Sequence, residues 1–259
     1  MKNSIAFFLI LVSFLSCKKD EFAKPEPLPP LNITDTSGYL EIHVANTVNN
    51  APLSLSTTSY VSSNNDTFTV DMLKYYISNI QLVTATGYTY TEAESYYLVN
   101  QSDPNSLHLM VKNVPSGSFT SINFTIGVDS LRNVTGSQTG ALDPINDMFW
   151  TWNTGYIMAK MEGYSPQSNQ ATKKISFHIG GFKGIYNAVR KVSLPFPNSA
   201  NVTTNHTPIL SLNADLYKWF LNPNFSNFNT SSNISTTNLI SKGIADNYAS
   251  MFSVISVVN

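Results

Sequence analysis

The strongest constraint on this chain is a succession of short runs in which apolar residues recur at every second position, punctuated by Pro, Gly, Asn and Asp. In YLEIHVAN, Leu40, Ile42 and Val44 alternate with Glu41, His43 and Ala45, so a strand here turns His43 away from the apolar side. LHLMV and SINFTIGV alternate on either side of a turn at Pro115 to Gly117, and KKISFHIGGF sets Ile175, Phe177 and Ile179 against Ser176 and His178. Further short strands are expected at 53–60, 67–70, 88–90, 96–99, 190–194 and 209–212. The apolar segment VDMLKYYISNIQLV joins them, because its β-branched and aromatic residues favour strand, with a kink at Ser78 and Asn79. Two stretches carry a helical spacing instead. DLYKWFLNP predicts a short helix from Asp215 with Leu216, Trp219 and Phe220 inward, and a terminal helix is expected from about Thr237, with Leu239, Ile240, Ile244, Tyr248, Met251 and Phe252 on one side. The expected fold is mainly β: an antiparallel β-sandwich with long ordered loops and a C-terminal helix that closes one end.

The N-terminus predicts a compartment. Lys2 precedes an apolar run from Ile5 to Leu15, too short to span a bilayer and suited to a signal peptide, and it ends in FLSC, a bacterial lipobox pattern. Cys17 is the only cysteine, so no internal disulfide is possible and thiolate metal sites within the domain are excluded. Its position predicts lipid acylation, which would hold the protein at a membrane, each buried methylene contributing roughly 0.8 kcal/mol. Residues 1–17 are thus expected to be the lipoprotein signal peptide ending at the acylated cysteine, 18–38 a tether containing Pro25, Pro27, Pro29 and Pro30, and 39–259 one folded domain. The expected location is the cell envelope, at the outer membrane and facing either side of it. Charged residues make up 12% of the chain, 15 basic against 16 acidic, which leaves no electrostatic footprint for nucleic acid.

Residues 127–163, GVDSLRNVTGSQTGALDPINDMFWTWNTGYIMAKMEG, concentrate two of the three tryptophans and three of the seven methionines. The stretch up to Pro144 has little hydrophobic periodicity but many turn-forming residues, and reads as a long ordered loop. From Met148 a strand would set Met148, Trp150 and Trp152 on one face and Phe149 and Thr151 on the other. Core packing is one reading of those indoles; an aromatic wall beside a ligand or metal is the other. Gly155 and Gly163 bracket YIMAKME, a second strand.

The run GVDS, the phrase GALDP, the string MFWTWNTGYIMAKMEG and the later FHIGG resemble the MbnP-like domain, a family of exported bacterial copper-binding proteins related to those found beside methanobactin operons. The likeness runs from about Tyr39 to the C-terminus. It implies a β-rich extracytoplasmic domain that binds copper, as Cu(I) or Cu(II), through histidine. In some members a tryptophan oxidised to kynurenine by a MauG-like dihaem peroxidase assists. On this resemblance His178, in FHIGG, is the metal-related histidine, and Trp150 and Trp152 are the candidates for redox modification. No tryptophan lies two residues from a favoured histidine, so a kynurenine ligand is not carried over by local spacing.

The residues themselves narrow the chemistry. No nucleophile elbow, phosphate-cradling glycine loop, HExxH helix or CxxC pair is present, so no catalytic residue and no enzyme activity are expected. Imidazole is a good copper ligand and thioethers favour the cuprous ion. Of the four histidines, His43 and His178 occupy outward positions on their strands and would share one ion if those strands were neighbours. His108, beside Met110, and His206, in a polar loop, are less favoured ligands. A ligating histidine donates its other nitrogen proton to a carbonyl or carboxylate, and Asp129 and Asp147 are the candidates for that role. The pair Asp143 and Asp147 equally suits turn formation or calcium-like coordination. A surface carbohydrate-binding or adhesive sandwich without metal, using tyrosine and tryptophan as stacking platforms, is the alternative reading.

Overall fold

The structure is a computed structural model that describes residues 37–136, 138–151 and 155–259. Cys17, the proline-rich segment and Trp152 lie outside the described residues. In chain order the elements are β1 (Ser37–Val48), β2 (Ala51–Pro52), β3 (Tyr60–Val61), β4 (Thr67–Thr84), β5 (Thr89–Thr91), β6 (Tyr96–Asn100), β7 (His108–Pro115), β8 (Gly117–Ile126) and α1 (Ser130–Val134). They continue with β9 (Phe149–Trp150), β10 (Gly155–Tyr164), β11 (Lys174–Gly180), β12 (Arg190–Val202), β13 (Ile209–Asp215), β14 (Asn233–Ile234), α2 (Leu239–Tyr248) and β15 (Phe252–Val258).

Among the described residues these strands form two sheets. One runs β15-β13-β1-β2, with β7 paired to β1 beside β2; the other runs β12-β8-β4-β10-β11-β14, with β3, β5 and β6 along β4 and β9 on β10. The pairings are antiparallel except β1 with β13 and β11 with β14, which are parallel. The inward residues of the alternating runs make one continuous core: Leu40, Ile42 and Val44 from β1 and Ile175, Phe177 and Ile179 from β11 are all buried. Phe252 of β15 packs edge-on against Tyr75 of β4 and Phe124 of β8, with ring centroids 5.8 and 5.0 Å apart, and so joins the inner faces of the two sheets. The Tyr75 hydroxyl donates to Asn46 Oδ1 at 2.7 Å, which satisfies the one polar end of a fully buried ring. A second aromatic cluster, Phe68, Phe177, Phe220, Phe225 and Phe228, closes the other part of the core, each ring contributing about 1.5–3 kcal/mol by burial.

The kink expected in the long apolar segment is present. β4 is one strand of 18 residues, but Asn79 has φ 54° and the pairing with β8 slips between Ser78 and Gln81. The short helix after Asp215 is a 3-10 turn, Leu216–Phe220, with the Asp215 carboxylate accepting from Tyr217 N and Trp219 fully buried. The terminal helix starts at Leu239 with a capping box between Asn238 and Ser241. It ends at Tyr248, earlier than its spacing predicted, because Ser250 and Met251 turn the chain and Phe252–Val258 adds a strand to β13.

The described residues of the 127–147 stretch form a loop of short helical turns. Asp129 caps α1, Asp143 caps the turn Pro144–Asn146, and Asn133 ties the loop to β10 by donating to Val128 O at 2.7 Å and accepting from Tyr156 N at 2.8 Å.

Candidate metal centre

The β1–β7 ladder brings two histidines together because both strands keep the same alternation. Leu40, Ile42, Leu109 and Val111 face the core, so Glu41, His43, His108 and Met110 share the outer face. In the antiparallel register His43 lies opposite His108 and Glu41 opposite Met110. The two imidazole rings meet edge to face, centroids 4.3 Å apart at 71°. Glu41 Oε1 is 2.8 Å from His43 Nε2 and 3.3 Å from His108 Nδ1, and one ligand atom from each of the three residues lies within 4.8 Å of the others. The His43 side chain is 35% exposed and that of His108 53%, so the cluster opens to solvent through His108.

His43 Nε2 is itself shut off from solvent, with Glu41 Oε1 as its near polar neighbour. A cation shared by Glu41, His43 and His108 would take the place of that contact. The His43 contact, with His108 adding to it, holds the Glu41 carboxyl below its ordinary range although burial opposes this. An ionised carboxylate between two imidazoles is a donor set suited to a first-row transition metal.

The second histidine expected to ligate stands elsewhere. His178 is on β11, opposite Lys160 of β10, and its Nε2 lies 2.7 Å from Glu162 Oε1 and 3.1 Å from Ser176 Oγ. Burial keeps this imidazole below its usual value, while Glu162 pulls the other way. The cluster supplies its own cation: the Lys160 side chain, 4% exposed, pairs with Asp147 and lies 3.5 Å from Glu162 Oε1. Burial opposes ionisation of Glu162, but His178 and Lys160 outweigh it and hold the carboxyl low. Lys74 Nζ donates to Asn146 O at 2.9 Å, so two lysines fasten the loop to the outer face of this sheet. Two residues from His178, Trp150 lies against Gly180, where an added Cβ would come within 2.6 Å of Cη2 of the indole. Trp150 also lines a cavity of about 260 Å³ together with Phe182, Lys183 and Tyr186.

The model of the MbnP family matches residues 37–239. The chain belongs to the MbnP family. Among solved structures it is similar to MbnP from Methylosinus trichosporium, at 12% identity, covering 77% of this chain and 80% of that one, with a TM-score of 0.48. No curated protein matches.

In this MbnP-family chain the expected ligand pair divides. β1 and β11 belong to different sheets, so the condition on which His43 and His178 would share an ion is not met; His43 is joined by His108 and Glu41 instead. Asp147 contacts Lys160 and neighbours His178, whereas the Asp129 carboxylate is bonded to Tyr96 Oη (2.5 Å), Asn79 Nδ2 (3.2 Å) and the first amides of α1, a capping role in place of the expected support for a ligand. His206 is exposed in a turn bridged to Thr203. Trp150 is 6% exposed and packed, and Trp152 lies outside the described residues. Sequence reading ranked His108 low and passed over Glu41. The signal was present in the matching alternation of LEIHV and LHLMV, but only the ladder register turns it into a site.

Proposed function

We propose that this MbnP-family protein is a membrane-tethered extracytoplasmic copper-binding protein, serving copper acquisition, storage or delivery, and that Glu41, His43 and His108 hold the metal. The observation that carries the reading is the convergence of two imidazoles and one carboxylate on the β1–β7 ladder, with Glu41 Oε1 in reach of both rings. The link of the MbnP family to copper supports the choice of metal. Imidazole nitrogen and carboxylate oxygen suit Cu(II) in particular. The His178 cluster is less suited, because a buried ammonium already neutralises its carboxylates. The tether is the lipid-modified Cys17 implied by FLSC, with an envelope location. Oxidation of a tryptophan by a MauG-like dihaem partner belongs to the same reading and would register as a shift in intact mass. The reading assigns no catalytic residue.

Titration of the mature protein with Cu(I) and Cu(II) against competing chelators tests it, alongside His43→Ala and His108→Ala. Binding of at least one oxidation state that is lost in both variants is expected. No binding at micromolar metal, or binding indifferent to both substitutions, would remove the site.

The cavity walled by Trp150, Phe182 and Tyr186 favours one other reading, a carbohydrate-binding sandwich. A glycan array decides between them: binding abolished by Trp150→Ala, in protein that takes up no copper, would favour the sugar.

A further inference from the structure

Four side chains, two from each strand, form a block on the outer face of the β1–β7 ladder: His43 opposite His108, and Glu41 opposite Met110. The two pairs are adjacent, because residues two apart on a strand share a face about 6.6–6.8 Å apart, and side chains directly opposite have Cβ atoms about 4.5–5.5 Å apart. Met110 is 37% exposed, on a strand whose Leu109 and Val111 carry the packing. It fills no core space that would explain a thioether there. Methionine is long and unbranched, with three rotatable bonds, so its sulfur sweeps a wide arc over the neighbouring positions. The imidazole pair is therefore flanked by the Glu41 carboxylate, which reaches both rings, and by the Met110 position two residues along β7.

These two donors prefer different oxidation states of copper. Cupric ion is suited by nitrogen and oxygen, whereas soft thioether sulfur selects cuprous ion. Resting on the reading that His43 and His108 bind copper, we infer that this pair serves both oxidation states with an interchangeable third ligand: the Glu41 carboxylate for Cu(II) and the Met110 thioether for Cu(I). One surface site then accepts copper in either form without rebuilding the ladder, since both third ligands belong to the same two strands as the histidines.

The test compares affinities for Cu(I), measured anaerobically by chelator competition, with those for Cu(II), in the mature protein and in Met110→Leu, Glu41→Gln and the two histidine variants. Met110→Leu should weaken Cu(I) binding by at least about tenfold, the loss that removing even an outer partner of a metal ligand reaches, and leave Cu(II) within about twofold. Glu41→Gln should do the reverse. X-ray absorption of the Cu(I) form should show a sulfur scatterer that Met110→Leu removes. If Met110→Leu leaves Cu(I) affinity unchanged, or weakens both ions equally, the exchange of ligands is wrong while the histidine site stands, provided the histidine variants lose copper. If the histidine variants also keep full affinity, the underlying site fails with it. Leucine matches methionine closely in volume, and unchanged circular dichroism would verify that each variant is folded.

Discussion

The Tyr97 hydroxyl lies 2.8 Å from the carbonyl oxygen of Met110, and so ties the open side of β7 to the opposite sheet. Among the described residues β7 has only β1 as a ladder partner, which leaves its other side to be covered by side chains. Tyr97 is one of them, Tyr90 donates to Lys112 O, and Glu92 Oε1 accepts from Lys112 N at 3.1 Å. Tyr97→Phe is expected to destabilise the fold by about 1 kcal/mol. Amide exchange in β7 should speed up more than exchange in β4. Chemical denaturation and hydrogen exchange measure both effects, and uniform exchange would show that the hydroxyl does not secure this edge.

Gly180 leaves room for the Trp150 indole, and the atoms that an added methyl would strike belong to the ring itself. Gly180→Ala should displace the indole and cost about 1–3 kcal/mol, as overpacking of a close-packed site typically does. Tryptophan fluorescence should shift, and the shift should disappear in a Trp150→Phe background. Gly180→Ala with unchanged fluorescence and melting would mean that the ring has space to spare.

Arg190 reaches from β12 to Asp246 of α2 through Nε at 3.1 Å and Nη2 at 2.6 Å, and Lys242 Nζ is 2.5 Å from the second carboxylate oxygen. Burial opposes ionisation of Asp246, but the two cations outweigh it and lower its pKa. A lowered carboxylate pKa contributes stability above the unfolded-state value, roughly 3.9, and loses it as pH falls through the folded value. Asp246→Asn should therefore reduce stability at neutral pH and converge with the parent protein in strong acid. Thermal melts across that range would show the two curves running parallel if the carboxylate contributed nothing.

Much of the scaffold was legible because period-two alternation is a local property. The faces of β1 and β11, the alternation of β7 and the bend at Ser78 and Asn79 all follow from it. What could not be read was which strands adjoin. His43 and His178 both carry the signature of an outward strand position, but alternation assigns a face and not a sheet. Glu41 and His108 are 67 positions apart and meet only through the β1–β7 register. The final strand was hidden for a different reason: the helical spacing of Ile244, Tyr248 and Met251 runs on to Phe252, and the turn that breaks it is made by backbone bonds with no glycine or proline to mark it.

The nearly buried Lys160 ammonium pairs with Asp147 and lies 3.5 Å from Glu162 Oε1, the oxygen that also contacts His178. One side chain thus supplies the counter-charge for both carboxylates. Lys160→Met would remove the internal counter-charge and strand two carboxylates beside an imidazole. That variant should be less stable than its parent, a loss read as a fall in melting temperature.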